Sequence, residues 1–173
     1  MSARRQRQMC IRDRLWSGLY SAIGRTNAAI ANIPVNNSEN ISDNSLLFND
    51  VAGQARFVRA WCYFSLVRLY GDIPLVTALP SSDNLMVGLS PAKEIYSQII
   101  VDAEIASNLI NGAAENSNNN IYIKAYAANM LLAKVYMTLA TNPQLVPDEL
   151  SGSNFWQLAY EQASAVYGQY SLL

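Results

Sequence analysis

The chain has 173 residues, 51% of them hydrophobic and only 14% charged, so it can bury one domain core and is too apolar to remain a disordered polyelectrolyte. Its net charge of −1 hides an asymmetry: Arg4, Arg5, Arg7, Arg12 and Arg14 stand against one acid, Asp13, in the first 14 residues, while the remainder is mildly acidic. Histidine is absent, which excludes His-based triads, His general bases and His metal ligands.

The basic head has neither aromatic interleaving nor a helical stripe, so no nucleic-acid role is expected of it. Residues 1–14 are expected to be foreign to the fold or disordered, and residues 15–173 to form the domain. No apolar segment of signal-peptide type follows the head, and no apolar run is long enough to span a bilayer. Of the two cysteines, Cys62 is expected to be a small core hydrophobe; a disulfide with Cys10 is the less favoured arrangement.

Five helices are predicted, with no competing strand pattern. The first covers about Leu15 to Asn32, with Leu15, Leu19, Ala22, Thr26, Ile30 and Ile33 on one face, and stops before Pro34. After a polar loop from Asn36 to Asn49, a second helix opens on a cap at Asn49 or Asp50 and runs to Tyr70. It carries two apolar stripes, one through Phe57, Ala60, Trp61, Phe64 and Val67, the other through Val51, Ala55, Val58, Cys62, Leu66 and Leu69. A helix apolar on two sides packs between other helices, so Trp61 is expected in the core. Gly71 closes it, and the Ile73-Pro74 step turns the chain extended.

Ser90-Pro91 opens the third helix as a cap followed by proline, and Ala92, Tyr96, Ile99, Ala103, Ala106 and Ile110 form its stripe up to Asn111-Gly112. The fourth repeats the spacing through Ile121, Ala125, Ala128, Leu132, Val135 and Leu139 until Asn142-Pro143; its alanines, including Ala127 and Ala133, permit close helix approach. A fifth helix, about Phe155 to Tyr170, follows a cap at Ser153 or Asn154 and places Trp156, Tyr160, Ala163, Tyr167 and Tyr170 on one side, with Trp156 and Tyr160 expected in the core beside Ala163. Helical hairpins with small-large interdigitation make the fold all-α, a tetratricopeptide-like array, although the connections Gly71 to Ser90 and Gly112 to Asn120 exceed the tight turns of regular repeats.

Carboxylates are the remaining acid and base groups. Asp102 and Glu104, two apart on a helix, point to different sides and cannot face each other; Asp148-Glu149 reads as a solvated loop, so no catalytic residue is assigned. Neither a Cys-rich metal pattern nor a Gly-rich phosphate loop occurs, so no metal and no cofactor is expected. Arg56, Arg59 and Arg68 would bind an anion if they converged, but on an enclosed helix the stronger reading is stems laid over apolar neighbours and pairing with acids such as Asp72. Flat aromatic faces can stack on ligand rings, and among the tryptophans Trp16, at a first helical turn, is the candidate ligand contact. The Asn-rich stretch Glu115 to Asn120 reads as a solvated loop.

Several of these segments resemble the SusD/RagB family of outer-membrane nutrient-binding lipoproteins. The matching stretches are Trp16 to Ile30, Gly53 to Phe64 with Leu69 to Val76, Tyr96 to Ala106 and Lys124 to Tyr136, and the Gly53 block is the most specific. The resemblance implies a non-enzymatic protein at the cell outer membrane, surface-exposed. It captures oligosaccharides or other nutrients and hands them to a TonB-dependent, SusC-like transporter. It also implies a tetratricopeptide-like scaffold supporting an irregular ligand-binding half. Family members are much longer, so the chain is expected to be an N-terminal to middle fragment; Cys10 lacks the small residues that precede a lipidation cysteine, so the lipid anchor is expected outside it. Two other readings stay open: a helical-repeat adaptor that holds a peptide in a groove, and an all-helical glycan-cleaving enzyme with two carboxylates.

Overall fold

The computed structural model describes residues 3–33, 43–79, 87–110, 112 and 122–168. Five α-helices carry the architecture: α1 (Ala3–Asn32), α2 (Asp43–Tyr70), α3 (Ala92–Leu109), α4 (Ala125–Thr141) and α5 (Phe155–Val166). Each packs chiefly on its neighbour in sequence, as stacked helical hairpins do. The expected all-α array is therefore the observed fold. Part of the Asn36–Asn49 loop, Asn111, residues 113–121 and Tyr170 lie outside the described residues.

Helix boundaries depart from the sequence expectations in instructive ways. Helix α1 begins at Ala3 instead of Leu15, and the Tyr70 hydroxyl donates to the Arg12 carbonyl at 2.8 Å while the Arg12 guanidinium lies 5.3 Å from the Tyr70 ring centre. Helix α2 begins at Asp43, not at a cap on Asn49 or Asp50. Its first turns have inverted polarity: Ser45, Asn49 and Asp50 are buried, whereas Leu46, Leu47 and Phe48 are exposed. Asp50 accepts from the Gly112 backbone N–H and from the Tyr122 hydroxyl, so its carboxylate ties α2 to the segment around α4 instead of capping a helix. Helix α4 starts at Ala125, after an extended Tyr122–Lys124 stretch, and α5 ends at Val166. Asn154 does cap α5, its side-chain oxygen accepting from the Gln157 N–H at 3.2 Å.

The cap of α3 comes from elsewhere. Ser90 lies in a two-residue antiparallel bridge, β1 (Ile73–Pro74) with β2 (Leu89–Ser90), an element that the sequence reading lacked. The first helical N–H, that of Ala92, donates instead to Asp72 Oδ1 at 2.9 Å. Asp72 follows Gly71, whose φ of 76° ends α2 in the left-handed region open to glycine. One Gly-Asp step thus terminates α2 and starts α3.

The core is centred on α2, α3 and α4. Tyr63, Leu66, Ile73, Ile95, Ile99, Leu132 and Val135 are fully buried, with Ile23 contributed by α1. Burial of such side chains stabilises the fold by about 1.5–3 kcal/mol apiece. Gly53 sets the distance between α2 and α3: an added Cβ would lie 2.9 Å from Ile110 Cγ1 and 3.0 Å from the Ile110 backbone nitrogen. Cys62 is a buried free thiol, as expected of a core hydrophobe, and burial pushes its pKa up.

Candidate functional site

A buried polar hub fixes the helices that carry the site. Arg59, 3% exposed, donates from Nε to Asp102 Oδ2 and from Nη2 to Asp102 Oδ1, both at 2.7 Å. Its Nη1 reaches Asn27 Oδ1 at 2.8 Å and the Thr77 carbonyl at 3.1 Å, and Arg56 Nη1 adds a bond to Asp102 Oδ1 at 3.1 Å. The hub joins α1, α2 and α3. A buried carboxylate held by a bidentate guanidinium is a strong, directional contact. The arginines pair with an acid as expected, but that acid is Asp102 and not Asp72.

The extended segment after α2 is fastened to the same hub. Asn27 Nδ2 donates to the Val76 carbonyl at 2.8 Å and Tyr20 Oη to the Pro74 carbonyl at 2.8 Å. Tyr63 Oη donates to the Val76 carbonyl at 2.8 Å and accepts from the Val76 N–H at 2.7 Å. Burial pushes the Tyr63 hydroxyl up to about 12 and raises that of Tyr20 as well. These side chains replace the ladder partners that an isolated extended strand lacks.

The core expectations for Trp61 and for the aromatic residues of α5 require correction. Trp61, expected in the core, is 46% exposed, because α2 turns its buried faces through Tyr63, Phe64, Leu66 and Val67 and leaves Trp61 and Leu69 outside. Trp156 is 58% exposed, and Tyr160 and Tyr167 are more so; α5 buries Phe155 and Ala159 instead. The inward face of α5 is offset by one residue from the predicted stripe. Trp16 is half-buried, with Tyr20 at 4.9 Å in a tilted arrangement and Tyr70 at 4.8 Å edge-on.

Two open cavities flank Trp61 along the α2/α4 face. One, of about 440 Å³, is lined by Phe57, Tyr122, Tyr126, Met130 and Val166. The other, of about 600 Å³, lies among Phe64, Arg68, Lys134, Met137, Asn142 and Trp156. Trp61 stands between them on α2, its ring stacked 6.4 Å from Phe57, and Lys134 Nζ lies 6.0 Å from the Trp61 ring centre. Arg68 sits 5.1 Å over the Phe64 ring. Exposed indoles beside cations, an amide and threonine hydroxyls offer flat apolar faces with hydrogen-bonding groups at the rim, the chemistry a sugar ring requires. Asp102 is enclosed by the arginines, and Glu104 accepts from Tyr136 Oη at 3.1 Å on another side of α3, so the two acids do not form a facing pair.

Comparison with known proteins places these helices. A SusD-like family model described as "Starch-binding associating with outer membrane" matches residues 6–137. SusD-like protein P2 of Formosa agariphila is 36% identical over 125 residues, covering 71% of this chain and 23% of that protein. The chain thus spans about a quarter of the length of the curated relatives it matches. The solved structure of a SusD superfamily protein from Parabacteroides distasonis superposes with a TM-score of 0.75 at 28% identity, covering 93% of this chain and 32% of that one. A structure solved with xylogluco-oligosaccharide superposes with a TM-score of 0.70 at 26% identity, covering 92% and 30%.

Proposed function

Because the chain belongs to the SusD-like family, we propose that it is part of a glycan-capturing protein at the outer surface of a bacterial outer membrane, passing oligosaccharide to a TonB-dependent, SusC-like transporter. Membrane attachment would come from a lipid anchor, as the family resemblance implies. The observation that carries this reading is the agreement between the family match at residues 6–137 and the packed α1–α4 array, in which the Gly53 block forms the central helix. A relative solved with xylogluco-oligosaccharide shares the fold, which supports saccharide as the ligand class.

The reading is non-enzymatic and invokes no metal or cofactor. Asp102 is committed to two arginines, so a two-carboxylate hydrolase would have to be built on loop acids such as Asp148, which is already paired with Lys93 at 2.7 Å. We assign the main aromatic platform to Trp156 and Trp61 ahead of Trp16, whose ring is already engaged by Tyr20 and Tyr70. Affinity electrophoresis of the 173-residue chain through gels containing xyloglucan, starch or pectin tests this. Retarded migration in at least one polysaccharide is expected; unretarded migration in all, with helical circular dichroism intact, would refute glycan binding by this chain.

A further inference from the structure

The cavity between α2, α4 and α5 has a charge that its shape alone does not require. Arg68 and Lys134 both line it, no acidic residue is among its lining residues, and neither cation takes part in an ion pair among the described residues. Elsewhere the described ion pairs consume cations: Arg56 and Arg59 hold Asp102, and Lys93 holds Asp148. Arg68 and Lys134 are instead parked on aromatic faces, Arg68 over Phe64 and Lys134 over Trp61. A cation resting on a ring keeps its hydrogen-bond donors directed at solvent and is held in place at little further entropic cost. Trp156 offers an exposed indole on the same cavity, and its volume of about 600 Å³ lies in the range of small-ligand sites.

We propose that this cavity binds a carboxylated sugar, a hexuronate unit of an acidic glycan, with the pyranose ring on Trp156 and the carboxylate met by Arg68 and Lys134. The inference rests on the glycan-binding reading and narrows it to an acidic class. Guanidinium meets carboxylate through two parallel N–H donors, and ammonium adds a point charge, so the pair selects an anion where Trp156 alone accepts any sugar face. Asn142, anchored by its Nδ2 to the Thr138 carbonyl at 2.8 Å, lines the same cavity beside the hydroxyl-bearing Thr141 and supplies rim groups for the ring hydroxyls.

The test is calorimetric titration of the full 173-residue chain with oligogalacturonate, with a neutral galactose oligomer of equal length, and with polyglutamate. The uronate is expected to bind at least about tenfold more tightly than the neutral oligomer, as one charge-assisted hydrogen bond supplies. Binding should weaken as salt is raised toward the physiological range. Arg68→Gln, Lys134→Gln and Trp156→Ala alter exposed side chains; each should reduce uronate affinity about tenfold or more with circular dichroism unchanged. Equal affinity for the acidic and neutral oligomers, indifferent to Arg68→Gln, would overturn the acidic assignment while leaving the glycan reading in place. Equal binding of polyglutamate would overturn the sugar assignment, and failure of both oligomers to bind would overturn both.

Discussion

Replacing Asp102 with alanine removes the acceptor of three charge-assisted contacts, two from Arg59 at 2.7 Å and one from Arg56 at 3.1 Å. The Arg59 guanidinium stays enclosed, with only Asn27 Oδ1 and the Thr77 carbonyl left as partners. Breaking a buried pair from one side costs about 3–5 kcal/mol, because the surviving charge is desolvated without compensation. That is a large share of a domain stability of about 5–15 kcal/mol. For a chain of this size each kcal/mol lowers Tm by about 2–4 °C, so Asp102→Ala should melt about 6–20 °C below the parent chain. Thermal unfolding followed by circular dichroism at 222 nm, with urea titration to obtain the free energy, measures it. The double variant Arg59→Met, Asp102→Leu should recover part of the loss, since it removes the enclosed Arg59 charge and leaves only the partly exposed Arg56 without its acid. A single variant that melts within about 2 °C of the parent would refute the reasoning that the hub is a closed, water-excluded pair.

Four further outcomes follow from the structure. Gly53→Ala should destabilise by about 1–3 kcal/mol despite alanine's better helix propensity, because the new methyl meets the Ile110 backbone; a gain in urea midpoint would show that α2 and α3 can separate. Tyr63→Phe leaves the Val76 N–H and carbonyl without their hydroxyl partner and should cost about 1–3 kcal/mol, read from urea unfolding. The same hydroxyl makes stability pH-dependent. Its folded pKa, about 12, lies above the ordinary 10.0, so its contribution is full below about pH 10 and declines as pH rises toward 12. The raised pKa values of Tyr20, Tyr96 and Tyr136 act in the same direction, and a chain equally stable at pH 9 and pH 12 would contradict this. Deleting residues 1–11 spares the Arg12 contact with Tyr70 and should leave Tm within about 2 °C, a direct check on whether the basic head belongs to the fold.

The helix count and the cores of α3 and α4 were legible because their buried residues recur every three or four positions: Tyr96, Ile99, Ala103 and Ala106, then Ala128, Leu132, Val135 and Leu139. Polarity misleads where polar groups are buried in pairs. The first turns of α2 read as loop because Ser45, Asn49 and Asp50 face inward, and Asp72 as a remote cap of α3 leaves no local sequence mark. The arginine strip on α2 was visible, whereas its partner Asp102, 43 residues further on from Arg59, was not. For the site, aromatic residue type suggested stacking, but exposure is a tertiary property: Trp61 shares a stripe with buried Ala60, Phe64 and Val67 yet stands outside, whereas Trp156, Tyr160, Ala163 and Tyr167 are all exposed together. Periodicity resolves a helix face only to within a residue or so, and on α5 that margin separates buried Phe155 from exposed Trp156.

The most direct measurement is the set of indole N–H resonances of the three tryptophans, assigned by single Trp→Phe variants and followed by nuclear magnetic resonance as oligosaccharide is added to the chain. Saturable shifts at Trp156 and Trp61, larger than any at Trp16, are expected if the α2/α4/α5 face captures glycan. Three indole signals that stay fixed through saturating oligosaccharide, both neutral and acidic, would contradict it.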